Sequence, residues 1–559
     1  MNITYNAQLS EKKSAEEIVA LLLKDRGVDD TESFLHPTSP LAFSLKTFGY
    51  EKEGKKLIAL LHRVRKNNER IVVYTDYDAD GITGGTIMWE TLHLLGFDVM
   101  PYVPDRKTEG YGFSKTGIDR VKELYDPSLI ISVDHGITAV EQIAYAAKLG
   151  IDVVVTDHHH KQEQIPKKAQ AIIHIPELSG SGVAYFVAKE IYNQSSEQRK
   201  NNKTLERNFA YDYMAIATIG LVADLVALKG RARSLVYHGL KAFPHVKRPG
   251  ITAMLKQAGI EDKPVTPYEI GFIIAPRINA VGRLENAIEA LRLLCTTDTQ
   301  RAGKLARKLN ELNTKRQDMV KQSVEQAERM VQKQYGDNIP NIIILFSPDW
   351  HEGIIGLIAS ALVEKYYRPT IVMSQDTDHL KGSARSISAF HITHFFERLS
   401  SYFINFGGHA QAGGFALPVA KRDAFIKEAT KKAQKLITPE DLERAVTVDL
   451  KLPLGCVSMK LVRTLEKCAP FGIGNPRPRF ASAATVVDYR LIGKNKNHLK
   501  LRVHEPNGSF LLDCIGFSMP DHAEKIERGD VCEIIYTLDV NRWNGRESLQ
   551  GKLINIIST

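Results

Sequence analysis

The stretch IVVYTDYDADG, residues 71–81, joins a buried strand to three evenly spaced carboxylates. Its first five residues are apolar or β-branched, which predicts a strand with both faces covered. Asp76, Asp78 and Asp80 follow at alternate positions, just past the C-terminal end of that strand, and a helical pattern then runs to Leu95. Open α/β sheets bind their ligands at this edge. The stretch therefore predicts an α/β fold with a site at the end of its first strand.

Three carboxylates this close repel one another and remain ionised together only beside a positive group. No Lys or Arg lies within the motif, so we favour a divalent cation as the partner. Two alternatives stay open at this point. The segment could be a polar turn with solvated carboxylates, and its DxDxDG pattern also resembles a calcium-binding loop.

Composition limits the class of protein. The chain has 559 residues, too many for one core, so three or four domains are expected. A formal net charge of +9 favours a polyanionic partner such as nucleic acid. The five cysteines are scattered without a CxxC pair, which argues against a disulfide framework or a zinc site and favours the cytoplasm. No apolar run has membrane-spanning length, so no membrane partner is expected.

Three further apolar runs predict more strands of the same sheet. Helical patterns at 115–125, 138–149 and 181–193 separate them, and this alternation predicts right-handed crossovers and a mainly parallel sheet. The three predicted strands are Leu129–Val133, Val153–Thr156 and Ala171–His174.

Polar residues follow two of these strands. Asp134 ends the first, and an Asp-His-His-His run from Asp157 ends the second, while Asp224 closes a later apolar stretch. One Asp at a strand end is more often a helix N-cap than a ligand. However, parallel strands bring their C-terminal ends to one edge, where Asp134 and His158 can meet the first three acids. This donor set suits two hard cations, Mn²⁺ or Mg²⁺, better than zinc, and ions about 3.5–4 Å apart can assist phosphoryl displacement.

The motifs DYDADGIT, SVDHGI, TDHHH and LVADLVAL, in this order, resemble those of the DHH phosphoesterase superfamily. Within it, other segments resemble the RecJ exonucleases, and the likeness covers the chain from about residue 30 to its end. These segments are YVPDRKTEGYGFS (102–114), IAPRINAVGRL (274–284), GSARSI (382–387), FGGHAQAGGFAL (406–417) and PFGIGNPRPRF (470–480).

The resemblance implies roles for the residues of the metal motifs. Asp78 and Asp80 would bind metal, with Asp76 either a ligand or an acid behind the ligands. Asp134 would bridge both ions, and His158 would be a ligand. His159 would be a ligand or contact the scissile phosphate. The remaining expected ligand, which completes the second ion site, is Asp224.

The resemblance also implies a phosphate-binding set. Arg106, Arg283, Ser383 and Arg385 would hold the 5′ phosphate of the substrate, since Arg forks onto two phosphate oxygens. Two more substrate contacts are expected at Arg277 and His409.

Three positions depart from the common family pattern. Tyr74 stands where many relatives carry His, and His135 stands where Cys is common. The third imidazole, His160, has no counterpart in the pattern. These departures leave the choice between Mn²⁺ and Mg²⁺ open.

We expect five segments along the chain. Between the lobes, an unbroken amphipathic pattern over 304–334 predicts one long helix. The expected segments are an N-terminal segment packing on the first domain (1–45), a DHH metal-binding catalytic domain (46–230), a helical region with the long connecting helix (231–340), a DHH-associated C-terminal α/β lobe (341–440), and an all-β, OB-like nucleic-acid-binding barrel (448–559).

The resemblance implies a metal-dependent 5′-to-3′ exonuclease that degrades single-stranded DNA to mononucleotides in DNA repair and recombination. The candidate partners are single-stranded DNA with a 5′ end, a single-strand-binding protein and a helicase, and we expect a monomer. Two alternatives remain: a DHH hydrolase of oligonucleotides or small phosphoesters, and a non-catalytic replication scaffold. The intact acids make the scaffold the weakest of the three.

Overall fold

The computed structural model describes residues 2–9, 11–106, 108–110, 112–195, 202–376, 379–506, 508–543 and 545–558. Within these ranges, no helix combines the length and the apolar character needed to cross a bilayer. All five cysteines are free thiols.

The first domain is built on a five-stranded parallel sheet. Three of the strands follow the predicted runs to the residue, and a fourth is one residue longer at each end. The sequence reading missed the edge strand Val99–Tyr102, whose Pro101 is tolerated because an edge strand can lack one donor. The strands lie in the spatial order Val99–Tyr102, Ile71–Thr75, Leu129–Val133, Asp152–Asp157 and Ala171–His174.

Helices cover both faces of this sheet. The central strand Ile71–Thr75 is completely buried, which explains its unbroken apolar sequence. The helices of the first domain are Glu51–Asn67, Ala79–Leu94, Lys115–Tyr125, Val140–Lys148 and Gly180–Gln194.

A helical region shares the core of the first domain and leads into the second lobe. Its last helix, Thr299–Tyr335, has 37 residues and spans roughly 55 Å at about 1.5 Å per residue. The long connecting helix predicted from the sequence is thus present and extends slightly beyond both predicted ends. The preceding helices are Lys203–Arg207, Tyr213–Ala223, Gly230–Ala242, Pro249–Gln257, Pro267–Glu269, Ala275–Leu284 and Ile288–Cys295, with π-helical turns at Asn208–Asp212 and Ile270–Ile274.

The second lobe has a mixed five-stranded sheet with its own aromatic-rich core. The first four residues of the GSARSI segment, Gly382 to Arg385, end a strand. Ser383 and Arg385 therefore share one face, two residues apart. The strands lie in the order Asn405–Gly408, Ala412–Pro418, His379–Arg385, Thr370–Gln375 and Ile343–Phe346, and the helices are Ile355–Tyr366, Ile392–Glu397 and Arg422–Leu436.

The C-terminal region forms a closed barrel, as predicted. Strand Phe480–Ile492 is long enough to pair with neighbours on both sides, and its pairing with Val531–Trp543 closes the barrel. The strands are ordered Leu450–Lys451, Phe480–Ile492, His498–His504, Leu511–Gly516, Arg546–Ser558 and Val531–Trp543, and helix Met459–Glu466 packs on the barrel.

The N-terminal segment differs from its prediction. Helix Ala15–Asp25 buries its apolar side in the barrel core, and strand Asn2–Tyr5 pairs in parallel with Ala445–Val448. A second short helix, Thr31–Leu35, follows. Only the later part reaches the first domain, where Leu45 joins the core. An amphipathic pattern shows that one face of a helix is buried, but not which domain buries it, so the sequence could not assign this contact.

Candidate metal centre and adjoining cationic cavity

The first predicted motif lies at the C-terminal edge of the parallel sheet. Asp78 is the N-cap of helix Ala79–Leu94, and its Oδ1 accepts the N–H groups of Asp80 and Gly81 at 2.9 and 3.0 Å. The N–H of Ala79 donates to Asn279 Oδ1 at 2.7 Å, which ties the motif to the helical region. Capping fixes the Asp78 carboxylate at the sheet edge rather than leaving it in solvent.

Asp134 occupies the middle of the cluster in an unusual backbone conformation. Its φ is 71°, in the left-handed region that non-glycine residues seldom adopt. Its N–H donates to the Thr156 carbonyl at 3.0 Å, so the neighbouring strand supports this conformation. The structure therefore does not use Asp134 as the helix N-cap that a lone strand-end Asp suggests. Such local strain is frequent at functional sites.

Asp157 orients the imidazoles that follow it. Its Oδ1 accepts the N–H of His158 at 2.7 Å and ring Nδ1 of His159 at 2.8 Å, while its Oδ2 accepts the N–H of Ile137 at 2.9 Å. The His159 carbonyl in turn contacts His174 Nε2 at 2.6 Å. These bonds leave His159 Nε2 directed away from Asp157, as in other sites where a carboxylate holds an imidazole.

Two glycines allow the remaining acids to approach closely. Asp80 accepts the N–H groups of Gly180 and Ser181 at 2.6 and 3.0 Å, at the start of helix Gly180–Gln194. A Cβ on Gly180 would lie 2.4 Å from the Asp134 carboxylate, and one on Gly220 would lie 2.4 Å from Asp80. Only glycine fits at these two positions.

The predicted acids and His158 do converge. His158 Nε2 lies 3.1 Å from Asp134 Oδ1, 3.5 Å from Asp224 Oδ2 and 3.8 Å from Asp80 Oδ2. Three overlapping groups each have ligand atoms within 4.8 Å of one another. They are Asp76, Asp78 and Asp134; Asp80, His158 and Asp224; and Asp134, His158 and His159. We call these seven residues the metal centre.

The metal centre gathers five carboxylates around two imidazoles. Burial raises the pKa of Asp76 and of Asp134 well above their usual range, and neighbouring carboxylates add to the effect. Burial, together with repulsion from Asp80 and Asp78, raises the pKa of Asp224 to about 8. Both Asp76 carboxylate oxygens, Asp134 Oδ1 and His158 Nε2 are buried without a hydrogen-bond partner. Buried ligand atoms with no proton donor fit divalent cations.

The imidazole of His159, beside Asp157, is stabilised in its protonated form. Burial acts to lower the pKa of His159, but its hydrogen bond and attraction to Asp157 outweigh burial and raise this pKa to about 9. His135 is different, because burial lowers its pKa to about 4 and its Nε2 faces the Tyr74 carbonyl at 3.1 Å. Tyr74 and His135, two of the departures from the family pattern, thus pack together behind the strand ends, with ring centroids 5.2 Å apart.

A cavity of about 360 Å³ adjoins the metal centre between the two lobes. Four residues predicted to bind phosphate line it, together with Tyr77 and Lys381. We call it the cationic cavity; the four are Arg106, Arg283, Ser383 and Arg385. Arg283 Nη1 donates to the Gly353 carbonyl at 2.9 Å, and Arg385 Nη1 donates to Ser383 Oγ at 3.2 Å. Both lobes therefore contribute cationic side chains to one cavity.

The guanidiniums of the cavity lie close enough to repel one another. Burial lowers the pKa of Arg283 to about 10, and Arg106, Arg316 and Arg385 add to the shift. Arg316 lies on the long helix, with Nη2 donating to Asn313 at 2.8 Å. Sequence reasoning missed Arg316 because a helix with many basic residues gives no sign of which one turns inward.

Two predicted substrate residues lie outside this cavity. Arg277 donates to Asn310 Oδ1 at 3.1 Å and to the Ile273 carbonyl at 2.7 Å, which indicates a helix-to-helix contact. His409 lies at the turn between strands Asn405–Gly408 and Ala412–Pro418. Its pKa is lowered by burial and then by nearby His159 and His160, so His409 lies near these two imidazoles.

Family models match three parts of the chain. They are the DHH family N-terminal domain at residues 70–221, the DHHA1 domain at 340–435 and the RecJ OB domain at 448–555. The three matches follow the order of the parallel-sheet domain, the second lobe and the barrel.

Curated relatives match over most of the chain. The single-stranded-DNA-specific exonuclease RecJ of Bacillus subtilis (strain 168) is 33% identical over 97% of this chain and 68% of its own length. The protein of the same description from Haemophilus influenzae is 30% identical over 95% of this chain and 94% of its own length.

A solved structure agrees with the fold. The crystal structure of RecJ from Thermus thermophilus in complex with Mn²⁺ superposes with a TM-score of 0.80 at 26% identity, covering 100% of this chain and 80% of that one. The same protein in complex with Mg²⁺ gives a TM-score of 0.72 at 25% identity, with 100% and 79% covered. With this extent of similarity to named exonucleases, and with the DHH, DHHA1 and barrel regions in the same order, the chain belongs to the RecJ family of the DHH superfamily.

Proposed function

We propose that this chain is a metal-dependent exonuclease that hydrolyses single-stranded DNA from its 5′ end and releases mononucleotides. The observation that carries the proposal is the convergence of the metal centre, in which Asp134 and His158 each belong to two of the three ligand groups. Full-length relatives described as single-stranded-DNA-specific exonucleases support the substrate class.

The residues of the metal centre fit two cations. Asp76, Asp78 and Asp134 would hold one ion, and Asp80, His158 and Asp224 the other, with Asp134 close enough to both groups to be shared. Mn²⁺ and Mg²⁺ are the candidate ions, because oxygen-rich sites with one imidazole suit hard cations and the Thermus relative binds each of them. When bound, two such ions would lower the pKa of a water and offset charge on the phosphoryl oxygens.

The chain's own residues would orient the scissile phosphodiester. His159 keeps its proton through neutral pH because Asp157 accepts from its ring Nδ1, which holds the His159 pKa at about 9. Its Nε2–H points away from Asp157 and would donate to a non-bridging phosphate oxygen of the bound strand. This donation compensates the charge that builds up during water attack. His409, on the facing lobe, would contact the same strand.

The cationic cavity would set the polarity of cleavage. A terminal phosphate monoester carries more negative charge than an internal phosphodiester, because its second pKa is near 6. Arg106, Arg283 and Arg385 supply three guanidiniums from two lobes, and Ser383 supplies a hydroxyl. Binding of a 5′ phosphate there would place the first phosphodiester at the metal centre, so each cycle would release one nucleotide.

The remaining assignments stay predictions. A single-strand-binding protein and a helicase are the expected partners, and the monomer is the expected state. The cytoplasm is the expected location, and the five free thiols fit its reducing conditions. A role in DNA repair and recombination follows from the family.

A time course on matched strands tests the proposal. The strands carry a label at the 5′ or the 3′ end, and the reactions contain EDTA, Mn²⁺ or Mg²⁺. We expect immediate release of labelled mononucleotide from the 5′ label, a shrinking ladder from the 3′ label, and no reaction in EDTA. Activity confined to dinucleotides would favour the small-phosphoester hydrolase, and binding without cleavage under every condition would favour the scaffold.

A further inference from the structure

Glu109 is a buried carboxylate in the loop that carries Arg106, and none of the roles above uses it. Its side chain is 1% exposed. Its Oε2 accepts the hydroxyl of Tyr102 at 2.6 Å, and its Oε1 accepts Arg120 Nη1 and the N–H of Asp105, each at 3.2 Å. A buried carboxylate that accepts this many hydrogen bonds fixes the position of each donor.

These bonds close a short turn around Arg106. The Glu109 N–H donates back to the Asp105 carbonyl at 2.9 Å, while the N–H of Thr108 donates to Asp105 Oδ1 at 3.1 Å. Arg106 lies inside this turn, with its guanidinium 5.3 Å from the centre of the Tyr77 ring and lining the cationic cavity. The position of the guanidinium thus depends on a turn that the Glu109 side chain ties to the sheet.

The surroundings of Glu109 are fitted to a carboxylate. A Cβ on Gly117 would lie 2.8 Å from Glu109 Oε2 and 2.2 Å from the Tyr74 hydroxyl, so the first turn of helix Lys115–Tyr125 meets the carboxylate directly. The positive end of a helix stabilises a negative group at this place. Glu109 therefore joins the edge strand, the next helix and the Arg106 turn at one point.

We propose that Glu109 is a positioning residue for Arg106, holding its guanidinium where the 5′ phosphate binds. The inference rests on the proposed function, since it needs a substrate phosphate in the cationic cavity. Without the carboxylate, the Asp105 N–H and the Tyr102 hydroxyl lose their shared acceptor. The hydrogen bond that joins the turn to strand Val99–Tyr102 is then gone. Arg106 would then sample positions outside the cavity.

The test compares kcat and KM on matched strands that carry a 5′ phosphate or a 5′ hydroxyl. For Glu109→Ala we expect preference for the phosphate, measured as the ratio of kcat/KM values, to fall by about tenfold, since a displaced guanidinium loses part of its binding to the phosphate. The change should lie in KM for the phosphorylated strand, with the hydroxyl strand unaffected. Glu109→Gln keeps one acceptor oxygen and should retain part of the preference.

Two comparisons separate positioning from general instability. The double variant Arg106→Ala/Glu109→Ala should lose no more preference for the 5′ phosphate than Arg106→Ala alone. The two substitutions act through the same guanidinium, so their effects should not add. Glu90→Gln, which breaks the buried ion pair with Arg248 elsewhere in the domain, should lower Tm without altering the preference.

Four results would overturn the inference. Equal losses of kcat/KM on the two strands, or additive losses of phosphate preference in the double variant, would show that Glu109 acts on stability alone. If a folded Glu109→Ala protein retained its preference for the 5′ phosphate, Arg106 would not need Glu109 to hold its position. If the wild type itself makes no distinction between the two strands, the phosphate-binding part of the proposed function fails, and this inference fails with it.

Discussion

The metal centre and the cationic cavity are built on the same principle with opposite signs. In the first, burial and mutual repulsion raise the pKa values of Asp76, Asp134 and Asp224. In the second, burial and neighbouring guanidiniums lower the pKa of Arg283 to about 10. Each region gathers like charges in excess of the counter-charges beside them, and each is therefore suited to a ligand of the other sign.

The two regions differ in how they are assembled. The metal centre comes mainly from strand ends and adjoining helix ends within one domain, where hydrogen bonds and glycine contacts fix the acids. The cationic cavity takes Arg106 and Arg283 from one lobe and its helical extension, and Arg385 from the other. Damage to the first should therefore remove the reaction, whereas damage to the second should weaken the hold on the 5′ end.

Asp80→Ala should give the largest effect. Asp80 belongs to one ligand group and also receives two backbone N–H groups. We expect nuclease activity to fall by at least about 10³-fold, with strand binding largely intact, because the cationic cavity is untouched. Activity is measured by nucleotide release, and binding by fluorescence anisotropy in EDTA. Asp119→Asn, at a surface contact with Tyr145, serves as the control. Activity close to that of the control would remove the metal mechanism.

Gly180→Ala should act on the metal centre without removing any ligand. Its Cβ would lie 2.4 Å from the Asp134 carboxylate and must displace it. We expect kcat to fall by about 10²-fold, since displacement by an ångström can cost that much. The matched control is Gly303→Ala, in the long helix, where a Cβ meets nothing within 4 Å. Equal activity in the two variants would contradict the idea that Asp134 must occupy its present place.

Arg385→Ala should show the smaller and different effect of the cationic cavity. Arg385 donates to Ser383 on its own strand and lies beside Arg106 across the lobes. We expect KM for a 5′-phosphorylated strand to rise about tenfold, with kcat nearly unchanged, because a lost phosphate contact affects binding. Steady-state kinetics on 5′-phosphate and 5′-hydroxyl strands measure this. A fall in kcat alone would instead place Arg385 in the chemical step.

Changing pH should separate the two regions without a mutation. Asp224 has a pKa raised to about 8 by burial and by Asp80 and Asp78, so protons compete with cations below that pH. We expect the affinity for Mn²⁺ to rise by up to about tenfold for each pH unit between roughly pH 6 and pH 8. Arg283 stays charged over this range, because its pKa is about 10. Calorimetric titration with Mn²⁺ checks the slope, and a flat profile would show that no carboxylate proton is displaced.

The sequence predicted most of the metal centre because its chemistry follows from local pattern. Strand Ile71–Thr75 and the run Leu129–Val133 ended where expected, so the acids after them had to meet at one sheet edge. The resemblance to RecJ then gave roles to Asp224 and His158. These roles stay predictions, although the structure brings the side chains together.

The remaining contacts depend on tertiary packing that a sequence does not show. Asn279 and Arg316 reach their partners across helices, and nothing in their own segments marks them. Arg277 looked equivalent to Arg283, six residues away, but turns toward Asn310. For the same reason, the apolar face of helix Ala15–Asp25 could not be assigned to the barrel in advance.

The central claim is that acids gathered at one sheet edge hold a pair of cations. Titration of the metal-free protein with Mn²⁺, with stoichiometry read by calorimetry, tests it most directly when wild type is compared with Asp134→Asn. We expect two ions per wild-type chain and at most one in the variant. Asp134 belongs both to the ligand group that contains Asp76 and to a ligand group that contains His158. Two ions bound with unchanged affinity by Asp134→Asn, or none bound by the wild type, would contradict the account.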